Sequence, residues 1–423
     1  MKRITISLLL YLAIILPGYS QDTLRLTLEQ AQEQFIQKNF ALIAQKFNVN
    51  IAEAGVQQAR LWYNPNLFVE TNLYNGYTHK VLPFGKQTDL INPTGGVFNI
   101  QLQQVLSLTA SRSKLVKLAE SNVALQQSAF QDVMRNVRFT LAQTFGNLVN
   151  EQAKLKMLDL ERARLESLLA AFRAQLKLGV IAPYEVTRIE LEQKNFEKDQ
   201  STLNVQIAQD EAIMRVLLSQ GGTVYIVADD STAGNQNSPG LSQLLDLAFA
   251  NRPDLQVAQQ QILYNQNNLT YQKSLATPNL TIGADYQRLG SAFPHYVGAQ
   301  VLMDLPVRNK NQGNIQSAKV GIDQSKTTAE LSHLQVEQDV VAAARQYQEA
   351  ISLQQKLTPE YLQSIEEISK NATEDYAKRI IDLVSFIDKI RAYRDAQLNL
   401  IDLKNDLFQA RQQLNFVTNS KTF

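Results

Sequence analysis

Three histidines, His79, His295 and His333, are the side chains best suited to metal ligation or proton transfer, and they stand far apart in the chain. His79 and His295 fall in the two loops expected between paired strands. There is no His–Cys or His-x₃-His spacing and no cysteine, so no tight metal site is expected. Ser, Asp and Glu are scattered, without the Gly-x-Ser-x-Gly turn of a hydrolase nucleophile or a glycine-rich phosphate loop. Gly221-Gly222 reads as a linker pair. These residues predict no enzymatic activity, no cofactor and no bound metal. Two acids, Asp382 and Asp388, lie close together just beyond an expected helical turn; by residue type alone they are solvated helix-surface carboxylates.

The elements that must position these groups are written twice. Leu42 precedes Pro65-Asn66-Leu67 by the same interval at which Leu255 precedes Pro278-Asn279-Leu280, with an offset of 213 between the copies. Leu203, Ile207 and Met214 recur as Leu403, Leu407 and Leu414 at offset 200. The difference between the two offsets falls between Leu67 and Val105, where the first copy has the longer loop. A repeat of half the chain is a duplicated domain rather than a solenoid unit. The first copy is expected over 21–218 and the second over 244–423. Between them, 219–243 is a connector rich in Gly, Asn and Ser, with one strand candidate at Tyr225-Ile226-Val227.

Each copy is expected to hold a half-length helix, two strands, a full-length helix, a turn and a second half-length helix. The helices fall at 28–62, 109–177 and 183–219, then at 244–276, 310–378 and 382–418. At ~1.5 Å per residue the middle helix of each copy is about 100 Å long, and the two shorter ones stacked end to end can cover it. The turns lie at about 178–183 and 378–383. Gly179 ends one helix and Pro183 opens the next, whereas Arg379 and Leu383 take those places in the second copy. Pro359 is expected to kink or break the second long helix.

Strands are expected at about 66–76, 96–107, 279–289 and 295–305. Leu67, Val69 and Leu73 alternate with Glu70 and Asn72. Phe98, Ile100 and Leu102 alternate with Asn99, Gln101 and Gln103. Leu280, Ile282, Ala284 and Tyr286 alternate with Thr281, Asp285 and Gln287, and Val297, Ala299, Val301 and Met303 share a face. This period of two, over ~9–11 residues, fits a membrane-spanning barrel strand or a sheet with one solvated face. Four strands cannot close a barrel; three chains would supply twelve.

Composition adds little. The net charge of +1 gives no reason to expect nucleic acid. Lys2 and Arg3, the apolar run from Ile4 to Pro17 and the small residues after it read as a signal peptide over 1–20, cleaved near Ser20-Gln21. Without cysteine the mature chain is expected to carry neither a disulfide nor an N-terminal lipid. No other stretch approaches the ~18 apolar residues of a membrane-spanning helix.

This layout resembles the TolC-like outer-membrane efflux family over nearly the whole mature chain. Leu61-Trp62-Tyr63-Asn64-Pro65-Asn66-Leu67 is similar to the Trp-x-Asn-Pro-x-Leu lead-in to the first strand of its cobalt–zinc–cadmium efflux subgroup. Leu305-Pro306-Val307-Arg308-Asn309-Lys310-Asn311-Gln312-Gly313 resembles that subgroup's Pro-x-x-Arg-Asn-x-Gly segment, with Lys310 as an insertion or a shift of register. The resemblance implies a mainly α fold with a β-barrel part: periplasmic helical hairpins continuing a trimeric twelve-stranded barrel in the outer membrane. It implies the exit duct of a tripartite pump, a homotrimer in outer-membrane lipid with a long periplasmic portion. Its partners would be a periplasmic adaptor protein and an inner-membrane proton-driven transporter, and its cargo divalent heavy-metal cations.

The same resemblance assigns Asp382 and Asp388 to a lumen-facing gate, with Ser385 where another acid is expected. It assigns Leu178, Gly179, Val180, Ile181, Ala182, Lys378, Arg379, Ile380 and Ile381 to adaptor contact. Arg379 departs from the usual glycine. The alternatives are a periplasmic adaptor, a secreted coiled coil, or a duct for drugs or proteins. Two equal hairpins disfavour the first, and paired amphipathic strands disfavour the second.

Overall fold

The computed structural model describes residues 23–76, 79–81, 97–222, 224–228, 240–289 and 293–420. The expected signal peptide and most of the first strand-connecting loop lie outside them. The described residues divide into two compact units, each drawing on both copies: those within 1–44, 133–252 and 335–423 form one, and those within 45–132 and 253–334 form the other.

In chain order the elements begin with β1 (Thr23–Leu26), α1 (Leu28–Lys38), α2 (Phe40–Arg60), β2 (Asn66–Thr71), the two short strands β3 (Tyr74–Asn75) and β4 (Lys80–Val81), and β5 (Val97–Leu106). There follow α3 (Ser111–Lys177), α4 (Pro183–Leu217), β6 (Tyr225–Ala228), α5 (Leu241–Asn251) and α6 (Pro253–Ser274). The last elements are β7 (Leu280–Leu289), β8 (Phe293–Met303), α7 (Gln312–Gln355), α8 (Pro359–Ala377) and α9 (Leu383–Thr418). None of the described helices is long and apolar enough to cross a membrane.

The duplication extends to the chain's interruptions. The helix expected over 28–62 breaks at Asn39. That expected over 244–276 starts at Leu241 and breaks at Arg252, which stands to Asn39 as the second Pro-Asn-Leu triplet stands to the first. Asn39 serves both flanking helices: its N–H caps α1 at Phe35, and its Oδ1 accepts from Leu42 N at 3.0 Å. Its Nδ2 donates to Leu217 O at 2.8 Å, so both the oxygen and the nitrogen of the buried amide are hydrogen-bonded. Arg252 precedes Pro253, which disfavours helical geometry there.

The helix expected over 310–378 divides at Pro359. Proline opens α8, and Thr358 caps it by accepting from Tyr361 N at 3.2 Å. Ala110 (φ 51°) and Asn311 (φ 59°), each immediately before a long helix, share a left-handed conformation at offset 201. The match favours Lys310 as an inserted residue.

In the first unit, Leu141, Phe145 and Leu148 of α3 are buried, as are Met214 of α4 and Ala410 and Leu414 of α9. Gly146 lies so near the Phe408 ring that a Cβ there would sit 2.5 Å from it. β1, absent from the sequence expectation, pairs in parallel with β6. Gln152 of α3 straddles β6, donating to Ile226 O at 2.6 Å and accepting from Ala228 N at 3.1 Å. Glu211 of α4 accepts from Ile226 N at 3.2 Å.

In the second unit, β2, β5, β7 and β8 form one antiparallel sheet in that order. The strand expected over 66–76 ends at Thr71, and the chain turns into the β3–β4 hairpin. β8 begins at Phe293, so His295 lies within a strand rather than in a loop.

Candidate functional site: the strand sheet and the hairpin tips

The sheet's register sorts its side chains into two faces. One carries the rows Leu67–Leu102–Ala284–Ala299, Val69–Ile100–Tyr286–Val297 and Gln104–Ile282–Val301. The other carries Asn66–Gln103–Gly283–Gln300, Phe68–Gln101–Asp285–Gly298 and Glu70–Asn99–Gln287–Tyr296.

Exposure runs opposite to that of a water-soluble sheet. On the apolar face Val69 is 54% exposed and Val301 69%, while on the polar face Asn99 and Asp285 are only 9% and 8% exposed. A sheet that buries amide and carboxylate groups and presents aliphatic ones fits an apolar surrounding with a polar interior.

The polar face lies flat. A Cβ at Gly298 would be 2.5 Å from Asp285 Oδ1, and one at Gly283 would be 3.0 Å from Gln300 Cγ and 3.1 Å from Gln103 Cγ. The two glycines leave the room these long polar side chains occupy. Gln101 Oε1 accepts from Gln103 at 3.3 Å and Gln300 at 3.4 Å, and Gln287 donates to Asp285 Oδ2 at 2.8 Å. β2 and β8 each have one neighbour in this sheet, which leaves an open edge on both sides.

The hairpin tips belong to the first unit. Gly179 (φ 70°) and Arg379 (φ 58°) hold the same left-handed position after α3 and α8. Val180 N donates to Gln175 O at 3.0 Å and Gly179 N to Leu176 O at 3.0 Å; Ile380 N donates to Asp375 O at 2.8 Å and Arg379 N to Tyr376 O at 2.9 Å. This is one paired cap written twice at offset 200, and Arg379 adopts it despite carrying a Cβ. Leu178, Val180 and Ile380 are exposed, as are Gly179, Lys378 and Arg379, while Ile181, Ala182 and Ile381 are half-buried.

Asp382 is the N-cap of α9, and its Oδ1 accepts from Ser385 N at 2.8 Å. Hydrogen bonds from the Ser385 side chain and backbone hold its carboxyl below the usual aspartate range. Asp388, six residues on, is exposed.

Behind the tips, side chains from both copies meet in groups that sequence spacing did not reveal. Tyr376 stacks on Phe172 at 5.2 Å and tilts against Phe386 at 5.1 Å, while its hydroxyl donates to Glu185 at 3.2 Å. Burial, then the Glu185 carboxylate, pushes the Tyr376 phenol up to about 12. Glu192 of α4, 2% exposed, accepts from Arg391 Nε at 2.9 Å and Nη2 at 2.5 Å, with Arg394 3.6 Å away. These partners come from opposite copies, too far apart in the chain for any local motif to show. A cavity of about 890 Å³ opens beside Glu161, Arg164, Leu168, Glu366 and Lys370.

A further acidic group lies nearer the middle of α3. Glu151 is pushed up from 4.5 to about 7 by burial and then by Asp210, against the pull of Lys154. Lys154 pairs with Asp402 at 2.5 Å, and Asn150 donates to the same carboxylate at 3.1 Å. Among the described residues no group of three or more His, Asp or Glu side chains is placed to hold a metal ion. His79 and His295 instead each pair through Nδ1 with a tyrosine hydroxyl, Tyr74 at 2.7 Å and Tyr286 at 2.9 Å.

The family model of the outer membrane efflux proteins matches residues 244–420. The cobalt-zinc-cadmium resistance protein CzcC of Cupriavidus metallidurans is 20% identical over 385 residues, which cover 91% of this chain and 88% of that protein. Among solved structures, the transmembrane channel CusC is 17% identical over 93% of this chain and 92% of its own, with a TM-score of 0.71. The outer-membrane channel OprN is 13% identical over 93% and 90%, with a TM-score of 0.75. The second copy thus matches the outer membrane efflux protein family model, and the whole length of the chain has the fold of the TolC-like channels.

Proposed function

We propose that three copies of this chain form the outer-membrane exit duct of a tripartite efflux pump, with a long periplasmic portion, and that the duct conducts divalent heavy-metal cations. The observation that carries the reading is the sheet's inverted polarity together with its two open edges. Such a sheet is stable when lipid covers the aliphatic face and a second copy covers each edge. Antiparallel pairing of β8 with β2 of the next copy closes the ring at twelve strands.

The chain's own chemistry is conduction. An inner-membrane proton-driven transporter supplies the energy, and an adaptor protein docks at the exposed tip residues Leu178, Val180 and Ile380. The resistance named for the CzcC relative favours cobalt, zinc and cadmium as cargo. Asp388, exposed on the first turns of α9, is the carboxylate suited to a cation-attracting ring at the periplasmic mouth, while Asp382 is committed to its cap.

Membrane fractionation tests the duct. The expected result is extraction only with detergent, migration as a trimer, and ohmic channels in planar bilayers. A soluble monomer that forms no channels refutes it. Asp388→Ala is expected to weaken divalent-cation block; unchanged conductance and unchanged divalent sensitivity would remove Asp388 from the lumen. A host lacking its own duct tests the cargo: restored zinc and cobalt tolerance supports metal export, and restored drug tolerance alone contradicts it.

A further inference from the structure

The strand sheet carries an electrostatic asymmetry that the periplasmic tips do not explain. In the three central rows of the polar face the charged residues are Glu70 and Asp285, both acidic, with no Lys or Arg among them. Arg288 pairs with Phe98 and lies on the opposite face. Asp285 is also the more constrained acid. It is nearly covered, its Oδ2 accepts from Gln287, and its Oδ1 fills the space that a side chain at Gly298 would take.

One row away, Asn99 is nine-tenths buried between Glu70 and Gln287, and its Oδ1 has no hydrogen-bond partner. Two acids with no basic residue in these rows, and an unanswered acceptor one row from Asp285, make this face favour a cation over an anion.

We propose that Asp285, reinforced by Glu70, makes the strand-built section of the duct cation-selective, as a second filter independent of the periplasmic mouth. The inference rests on the duct reading. Twelve strands ~4.8 Å apart and tilted by ~40° enclose a bore of backbone radius roughly 12 Å. The Debye length is ~10 Å at 0.1 M salt, so three Asp285 and three Glu70 side chains influence most of the cross-section. At 1 M the length is ~3 Å, and only ions close to the wall feel them.

The test is the K⁺-to-Cl⁻ permeability ratio of single channels, from reversal potentials under a KCl gradient, with every channel carrying Asp388→Asn to silence the mouth. A ratio above unity at 0.1 M KCl is expected, falling toward unity at 1 M. Asp285→Asn, which keeps the shape and the Gln287 contact, is expected to lower the 0.1 M ratio by about twofold or more, while Asp285→Glu preserves it.

A ratio of unity in the Asp388→Asn channel, or one insensitive to salt, overturns the inference even if the Asp285 variants fail to insert. An unchanged ratio in Asp285→Asn overturns it with the duct reading intact. Failure of the parent chain to form any channel instead removes the duct reading itself.

Discussion

Glu151→Gln separates burial of a charge from simple loss of a side chain. In the folded chain the Glu151 carboxyl is raised from 4.5 to about 7, chiefly by burial and then by Asp210. An acid whose folded value lies above its unfolded value binds more protons in the folded state between the two. Stability is therefore lost as pH rises from about 4.5 to about 7 and stays lost above. A rise of that size has a ceiling of about 3.4 kcal/mol. Glu151 is only partly buried and Lys154 is near, so solvent screening reduces the burden to about 1–2 kcal/mol.

Glutamine mimics the protonated form and is free of this burden. The gain is expected in full at pH 8 and only about half of it at pH 5, because the unfolded carboxyl is still losing its proton there. The assay is the difference in thermal midpoint between the variant and the parent chain in the same detergent, at one protein concentration and one scan rate. Other carboxylates titrate in both and cancel. A gain of about 1–3 °C at pH 8 is expected, falling to about half of that at pH 5. An equal shift at both pH values, or a loss at pH 8, refutes the reasoning.

The Glu192 cluster predicts coupling between the copies. Glu192→Ala is expected to cost about 2–3 kcal/mol, below a fully enclosed pair because Arg391 reaches solvent, and a double-mutant cycle with Arg391→Ala in denaturant melts reads the coupling. At the tips, Gly179→Ala is expected to cost about 1–2 kcal/mol because it forces a Cβ into left-handed geometry, whereas Arg379→Gly is neutral or slightly stabilising; hydrogen exchange at the two caps distinguishes them. Gly146→Val drives a side chain into the Phe408 ring and is expected to cost about 1–3 kcal/mol in thermal melts, with partial rescue by Phe408→Leu.

The duplication, the long helices, the strand alternation and the Pro359 break were legible in the chain because each leaves a periodic or local mark. The break at Asn39 was not, since asparagine inside an amphipathic run looks like a surface residue until its amide meets Leu217 from another helix. Arg252 was legible in principle, because Pro253 follows it. β1 is very short, and its partner β6 lies beyond the whole first hairpin, so no sequence window shows the pair. Arg379 in a left-handed cap resembles any helical arginine; only its alignment with Gly179 marks it. Glu192 with Arg391, and Tyr376 with Phe172 and Glu185, arise where two distant segments pack, and nothing in either segment names the other.

The open edges of β2 and β8 have a genetic corollary. In the proposed trimeric duct, a pore that borrows its wall from three equal contributors is vulnerable to any one of them. If a defective version that still joins the ring is produced alongside an equal amount of the sound one, only about one pore in eight contains no defective member. A recessive-looking lesion in the strands would then poison transport from a single extra gene copy, whereas a lesion that prevents joining would be silent.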